Sequence, residues 1–440
     1  MKRLLIAALF CIMPTASVHA AADAVLVGQL DPSPMLQYVG VWGWTHPTTH
    51  RQYAFVGNNA TGMYVIDATD PANPIPVATV TSVPRVDMKT YQHYLYSVDG
   101  IANGATGILD IANPASPVVV GSFPGGHNIF IDDKGFMYEE LPGLRIYDLK
   151  PDPTHPALVY QLNVPEGHDV CVKGNRLYEF RATAGTFIWD VTNHSAPVLL
   201  GSITDPNITY HHNGWPTKDE GYLFITDEYS VSPNADITVW DIHNVAAPFK
   251  VASIADPTST VHNCYVVGNL LAVAYYTAGF KLFDVSDPVH PVLVDQYDTS
   301  SYTGEGNFDG AWACYAYAPG NHVYITDRPN GLFIFELKGP TGVRAAGVPP
   351  LSIADPAPNP FSGRTRVAYS LARDADVTVA VYDVRGERVR RLQSGWQGSG
   401  SREVWWDGAR DDGTRAASGV YYVRVQSGGT MQSRKLTLLR

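Results

Sequence analysis

From Val25 onward, short apolar runs rich in Val, Leu, Ile, Tyr and Phe alternate with turns built from Gly, Asn, Asp and Pro. Val261 to Tyr297 carries the cleanest set: HNCYVV, LLAVAYY, GFKLFDV and PVLVDQY, parted by Gly-Asn, Thr-Ala-Gly and Asp-Pro-Val-His-Pro. Runs of this composition, bounded by turn residues, predict four antiparallel strands in one meander. A single meander cannot bury both of its faces, so neighbouring copies must cover it.

The third run closes on an acidic residue, and aligning on that residue finds the other copies. They end at Asp67, Asp110, Asp148, Asp190, Asp241, Asp284 and Glu336, spaced 38 to 52 residues apart. In five of them a glycine stands five residues earlier: Gly62, Gly143, Gly185, Gly279 and Gly331. Seven four-stranded units at this period predict a seven-bladed β-propeller. The last copy stops at Leu337 without a fourth run, and Val25–Leu30 reads like the missing one. An N-terminal strand that completes the last blade would close the ring and remove its open edges.

Met1–Ala20 reads as a signal peptide: Lys2 and Arg3, an apolar run from Leu4 to Ile12, then Val18-His-Ala20 as a cleavage site. No later stretch is apolar enough to span a membrane, so the expected location is exported, in the medium or on the outer cell surface. The mature chain retains Cys171, Cys264 and Cys314, an odd number without metal or disulfide spacing. They read as small buried residues of inner strands.

Charge divides the chain. Residues 21–340 hold 14 Lys and Arg against 33 Asp and Glu, whereas residues 341–440 hold 15 against 9. The acidic part argues against nucleic acid or an anionic membrane as its ligand. The expected organisation is a signal peptide at 1–20, the propeller at 21–338, a Gly/Pro-rich linker at 339–350 and a small Ig-like β-sandwich at 351–440. The fold class is thus all-β, a propeller followed by a sandwich.

The tail carries Asn359-Pro-Phe361, Val381-Tyr-Asp383 with Gly386, Trp406-Asp-Gly408, Ala417-Ser-Gly-Val-Tyr-Tyr422 and Arg434-Lys435 near its end. This set resembles the C-terminal sorting domains of type IX secretion and the related flagellar-hook-capping type of Ig-like domain. The resemblance implies an address or anchoring module that meets secretion or sorting machinery and has no chemistry of its own.

Candidate chemistry lies at the start of the first strands. His127-Asn128, His168-Asp169, His212-Asn213 and His262-Asn263 open four consecutive copies. First strands of a propeller line the central channel, so residues at one height converge on its axis. Imidazole is the commonest ligand of zinc, copper and iron, so these residues form a candidate transition-metal site. His211 precedes His212, and two adjacent histidines cannot both face the channel from one regular strand, so His211 either reaches in from the strand's start as a further candidate ligand or faces the next blade. Asp169, Asn128, Asn213 and Asn263 face the other way by strand alternation and form a candidate indirect shell. Hydrogen bonding between blades and direct ligand contact are alternative roles for the same residues. Trp44, Val86 and Trp312 occupy the corresponding place in the other three copies. The acids that end the third runs stand alone and read as caps of the following turn rather than calcium ligands. Asp227 and Glu228 read as solvated rim residues. No nucleophile elbow, phosphate loop or zinc-protease helix is present, and no catalytic residue is assigned.

Gly40-Val-Trp-Gly-Trp44, Gly126-His-Asn128, Gly167-His-Asp169, His212-Asn-Gly-Trp215 with Asp227-Glu228, His262-Asn263 with Tyr275–Gly279, Gly310-Ala-Trp312 and Gly331–Ile334 resemble the LVIVD-repeat proteins of the choice-of-anchor B family. The resemblance spans most of residues 38–338 and implies the propeller and an exported, anchored protein, but no reaction. It departs from the usual pattern in lacking the cysteines that many relatives carry in the third and fourth blades. His211–Trp215 also resembles the His-His-x-Gly-Trp of selenium-binding proteins, propellers credited with copper-dependent thiol oxidation. Two functions are therefore expected. One is a binding or scaffold protein that holds a protein or glycan on the propeller face, with a His-lined metal site. The alternative is a metal-dependent oxidoreductase centred on the histidines.

Overall fold

The computed structural model describes residues 23–33, 37–81, 83–338, 351–371, 375–397, 400–427 and 430–439. The expected signal peptide and the 339–350 linker lie outside the described residues. The chain divides into two compact units, Met1–Thr341 and Gly342–Arg440. Among the described residues no helix is long and apolar enough to cross a membrane.

The first unit is the seven-bladed propeller, seven four-stranded antiparallel sheets in chain order. Six sheets are uninterrupted meanders. In the seventh, strands 311–318, 322–327 and Gly331–Lys338 are joined by Asp23–Leu30, which pairs antiparallel with Gly331–Lys338. The N-terminal strand therefore closes the ring, as its sequence predicts.

The repeated sequence signals each have a local cause. Gly62, Gly143, Gly185, Gly279 and Gly331 all adopt positive φ, between 69° and 115°. A side chain there would also strike the outer strand: a Cβ on Gly279 would lie 2.2 Å from the Tyr297 carbonyl oxygen. Only glycine tolerates both constraints. The acids cap turns. Asp110, Asp148, Asp190, Asp241 and Asp284 each accept the backbone N–H two residues on, at 2.7–3.0 Å. Asp67 does the same to Thr69 at 3.0 Å.

Between adjacent blades the facing side chains form apolar cores. Tyr38, Val41, Ala54 and Ile66 of the first blade pack with Tyr324, Leu332 and Ile334 of the seventh. Cys171, Cys264 and Cys314 are buried free thiols on the inner strands of blades four, six and seven.

The second unit is a small sandwich. One sheet holds strands 351–353, 365–371 and 400–406, and the other holds 388–397, 375–383, 419–427 and 430–438. Phe361, Trp406 and Tyr421 meet edge to face in its core. Asn359 fixes the last strand, donating to the Lys435 carbonyl at 2.8 Å and accepting from Thr437 N at 2.8 Å. The motif residues of this tail thus build the sandwich itself.

Candidate metal centre at the channel mouth

Four imidazoles from blades three to six stand side by side around one end of the channel. Ring centroids are 4.1 Å apart for His127 and His168, 4.2 Å for His168 and His212, and 4.4 Å for His212 and His262. Trp312 of blade seven continues the arc, stacked on His262 at 4.6 Å. All four histidines line one cavity with Val86, Asp87, Asn128, Asn263 and Trp312. Gly40 and Val41 take this place in the first blade. Trp44, expected there, instead packs near Tyr53 and donates its indole N–H to the Gln92 carbonyl at 2.9 Å.

Irregular strands set the facing. Pairing slips between His211 and Asn213, and between Val261 and Cys264. The first slip separates two adjacent histidines. His212 turns into the channel, whereas His211 faces blade four, with Nδ1 2.8 Å from Thr186 Oγ1. His211 is therefore not brought to the cluster. His127 and His168 lie just before their strands, which begin at Ile129 and Asp169.

Three of the rings use one nitrogen on the next blade or a neighbour. His168 Nδ1 donates to the His212 carbonyl at 2.9 Å. His262 Nδ1 donates to the Trp312 carbonyl, and His127 Nδ1 bonds Asn128 Oδ1. His212 faces the His262 backbone, although its Nδ1 makes no well-formed hydrogen bond. A neutral imidazole that donates from Nδ1 carries a lone pair on Nε2. Burial, reinforced by the neighbouring imidazoles, holds His212 and His262 down to about 3. The same causes push His168 well below its usual range, and burial lowers His127.

A carboxylate stands against this cluster, that of Glu228. Expected on the solvated rim, it is 9 % exposed and reaches the channel. Oε2 lies 3.3 Å from His212 Nε2, and Oε1 lies 3.7 Å from His262 Nε2. Ligand atoms of His168, His212 and Glu228 all fall within 4.8 Å of one another. Tyr276, buried against His262, donates its hydroxyl to Glu228 Oε1 at 2.5 Å. Asp227 is buried too, and accepts the backbone N–H of Thr209, Tyr210 and Tyr229. Glu228 carried a signal in the sequence, its place beside Asp227 in the family-like motif. Nothing there revealed that the chain folds it inward.

The indirect shell divides. Asn213 ties blades together: Nδ2 donates to Asp169 at 2.7 Å, and Oδ1 accepts Cys264 N at 2.9 Å. Burial and the Asp87 carboxylate push Asp169 up to about 7. Asn128 and Asn263 line the cavity instead.

Comparison with known proteins agrees with this architecture. LVIVD repeats match residues 51–82, 87–124, 166–205 and 260–299, and a FlgD Ig-like domain matches 359–430. No curated protein matches the chain. Among solved structures, the WD40 β-propeller domain of Doa1 is similar at 10 % identity and a TM-score of 0.52. That similarity covers 72 % of this chain and 97 % of Doa1's. PorZ, a bacterial surface component of the type IX secretion system of Porphyromonas gingivalis, is similar at 16 % identity and a TM-score of 0.46. It covers 89 % of this chain, which spans 58 % of the PorZ chain. The chain thus carries LVIVD repeats in a β-propeller and an Ig-like FlgD domain behind it.

Proposed function

We propose that this is an exported binding protein whose propeller holds one transition-metal ion at the channel mouth, through His168, His212, His262 and Glu228. One observation carries the reading. The lone-pair side of His262 faces a carboxylate oxygen of Glu228 at 3.7 Å, and His212 Nε2 faces the other at 3.3 Å. At His262, whose Nδ1 donates to the Trp312 carbonyl, two acceptors are set against each other and repel unless a cation lies between them, while His212, with Nδ1 unbonded, takes either tautomer and can present Nε2 to the carboxylate or to the ion. The spacing suits such an ion: ligands about 2.0–2.2 Å from a tetrahedral zinc stand about 3.3–3.6 Å apart. Backbone bonds on Nδ1 are the usual outer support of a metal-bound imidazole. Imidazole with carboxylate accommodates zinc, copper or iron.

Structural hydrogen bonding and metal binding are compatible at His168 and His262, because each uses a different ring nitrogen. The oxidoreductase alternative gains no support from the comparisons. The Ig-like tail is the sorting or anchoring part of the reading, with secretion machinery as its partner. The propeller face is the place for a protein or glycan ligand.

Elemental analysis of the protein, purified without chelator or polyhistidine tag, tests the centre. About one equivalent of zinc, copper or iron is expected, and much less in His212→Ala. Equal metal in both proteins would sink the assignment.

A further inference from the structure

One acceptor in the channel has no partner. Asn263 follows His262 in the inner strand of blade six, and its Oδ1 is buried without a hydrogen bond. It lines the same cavity as the imidazoles. Among the described lining residues, Asp87 accepts Lys89 Nζ at 2.6 Å and Ile129 N at 2.9 Å and Asn128 bonds His127, whereas His212 Nδ1 is, like Asn263 Oδ1, without a hydrogen bond. Buried acceptors are normally satisfied by protein or by an ordered water.

The cavity is small. It offers about 20 Å³ to the centres of water-sized bodies, where one water needs about 10–15 Å³. Glu228 does not line it, so an ion held by Glu228 and the imidazoles stands at its wall and the cavity itself has room for one water-sized ligand. The outer side is covered, since Tyr210 packs edge-on against His168 at 5.2 Å and Tyr276 lies 5.1 Å from His262. The imidazoles of His168, His212 and His262 are accordingly buried.

We infer that an ion in this centre keeps one coordination position facing into the channel, sized for a single hydrogen-bearing ligand such as water, whose hydrogen Asn263 Oδ1 accepts. This rests on the metal reading above. Cavity volume sets the size limit, and the unpartnered oxygen sets the preference for a ligand that donates. Imidazole and other ring-sized donors are excluded.

The full chain loaded with one equivalent of Cu(II) provides the test, read by electron paramagnetic resonance. Water enriched in oxygen-17 is expected to broaden the copper lines, and millimolar imidazole to leave the spectrum unchanged. Asn263→Leu fills the cavity and should keep the copper while losing the broadening. Asn263→Ala enlarges the cavity, so imidazole should now perturb the spectrum, which keeps the test usable if the leucine variant does not fold. Absence of broadening in the native protein, or an equal response of native and Asn263→Ala to imidazole, would overturn the inference. Failure to bind copper at all would instead overturn the metal reading beneath it.

Discussion

His212 Nε2 stands 3.3 Å from Glu228 Oε2, although the histidine sits on the inner strand of blade five and the glutamate lies beyond the end of that blade's second strand. Burial keeps His212 neutral at ordinary pH, with its acidity down at about 3. The contact is therefore no ordinary His–Glu ion pair. A neutral imidazole there either donates from Nε2 to the carboxylate or, in the proposed metal centre, shares the cation with it.

Glu228→Gln preserves shape and removes the charge. Metal affinity should fall at least tenfold, in the range seen when the support of a metal ligand is lost (about 10–100-fold), with an unchanged circular dichroism spectrum. Competition with a metal indicator measures it, and an unaltered affinity would remove Glu228 from the ligand set.

Glu140 is wholly buried between blades three and four, with both carboxylate oxygens unpartnered. Arg145 is taken by Glu139 and Arg181 by Glu179. Burial, and next the Glu179 carboxylate, raise Glu140 well above the usual carboxylate range. A raised acid contributes stability below its unfolded pKa and loses it as pH climbs toward the folded value. Glu140→Gln should therefore match the native pH dependence near pH 4 and gain on it above, by about 1.4 kcal/mol per pH unit within that window. Denaturant midpoints measured from pH 4 to 8 decide it; parallel curves would contradict the buried-acid account.

Removal of residues 21–31 strips Asp23–Leu30 from blade seven and exposes the edge of Gly331–Lys338. Leu26, Val27 and Leu30 pack partly into the adjoining cores, so a loss of about 3–6 kcal/mol is expected. A melting temperature equal to that of the intact propeller would show that the closing strand is dispensable.

Deletion of residues 351–440 removes a sandwich with its own core of Leu351, Val379, Trp406 and Val423. The remaining propeller should melt cooperatively and keep its metal. If the tail is the sorting module, the truncated protein should no longer reach the cell surface. Persistence there would assign sorting to another part of the chain.

The sequence by itself determined the number of blades, the closing strand and the common height of the four histidines. These follow from local physics: strand runs and turns repeat with a fixed period, positive-φ turns demand glycine, and inner strands must face the channel. What lay beyond it follows from departures from regularity. Alternation already set His211 and His212 on opposite sides, but not whether His211 would reach in from the strand's start, and the pairing slip after His211, with the Thr186 hydroxyl of blade four as its partner, settles that it does not. Glu228 lies past a strand end, where no period fixes direction, and its inward turn depends on Tyr276 of the next blade. The division of labour between imidazole nitrogens is tertiary as well. His262 Nδ1 is directed at the Trp312 carbonyl because blade seven brings that carbonyl beside blade six, which frees Nε2 for the channel.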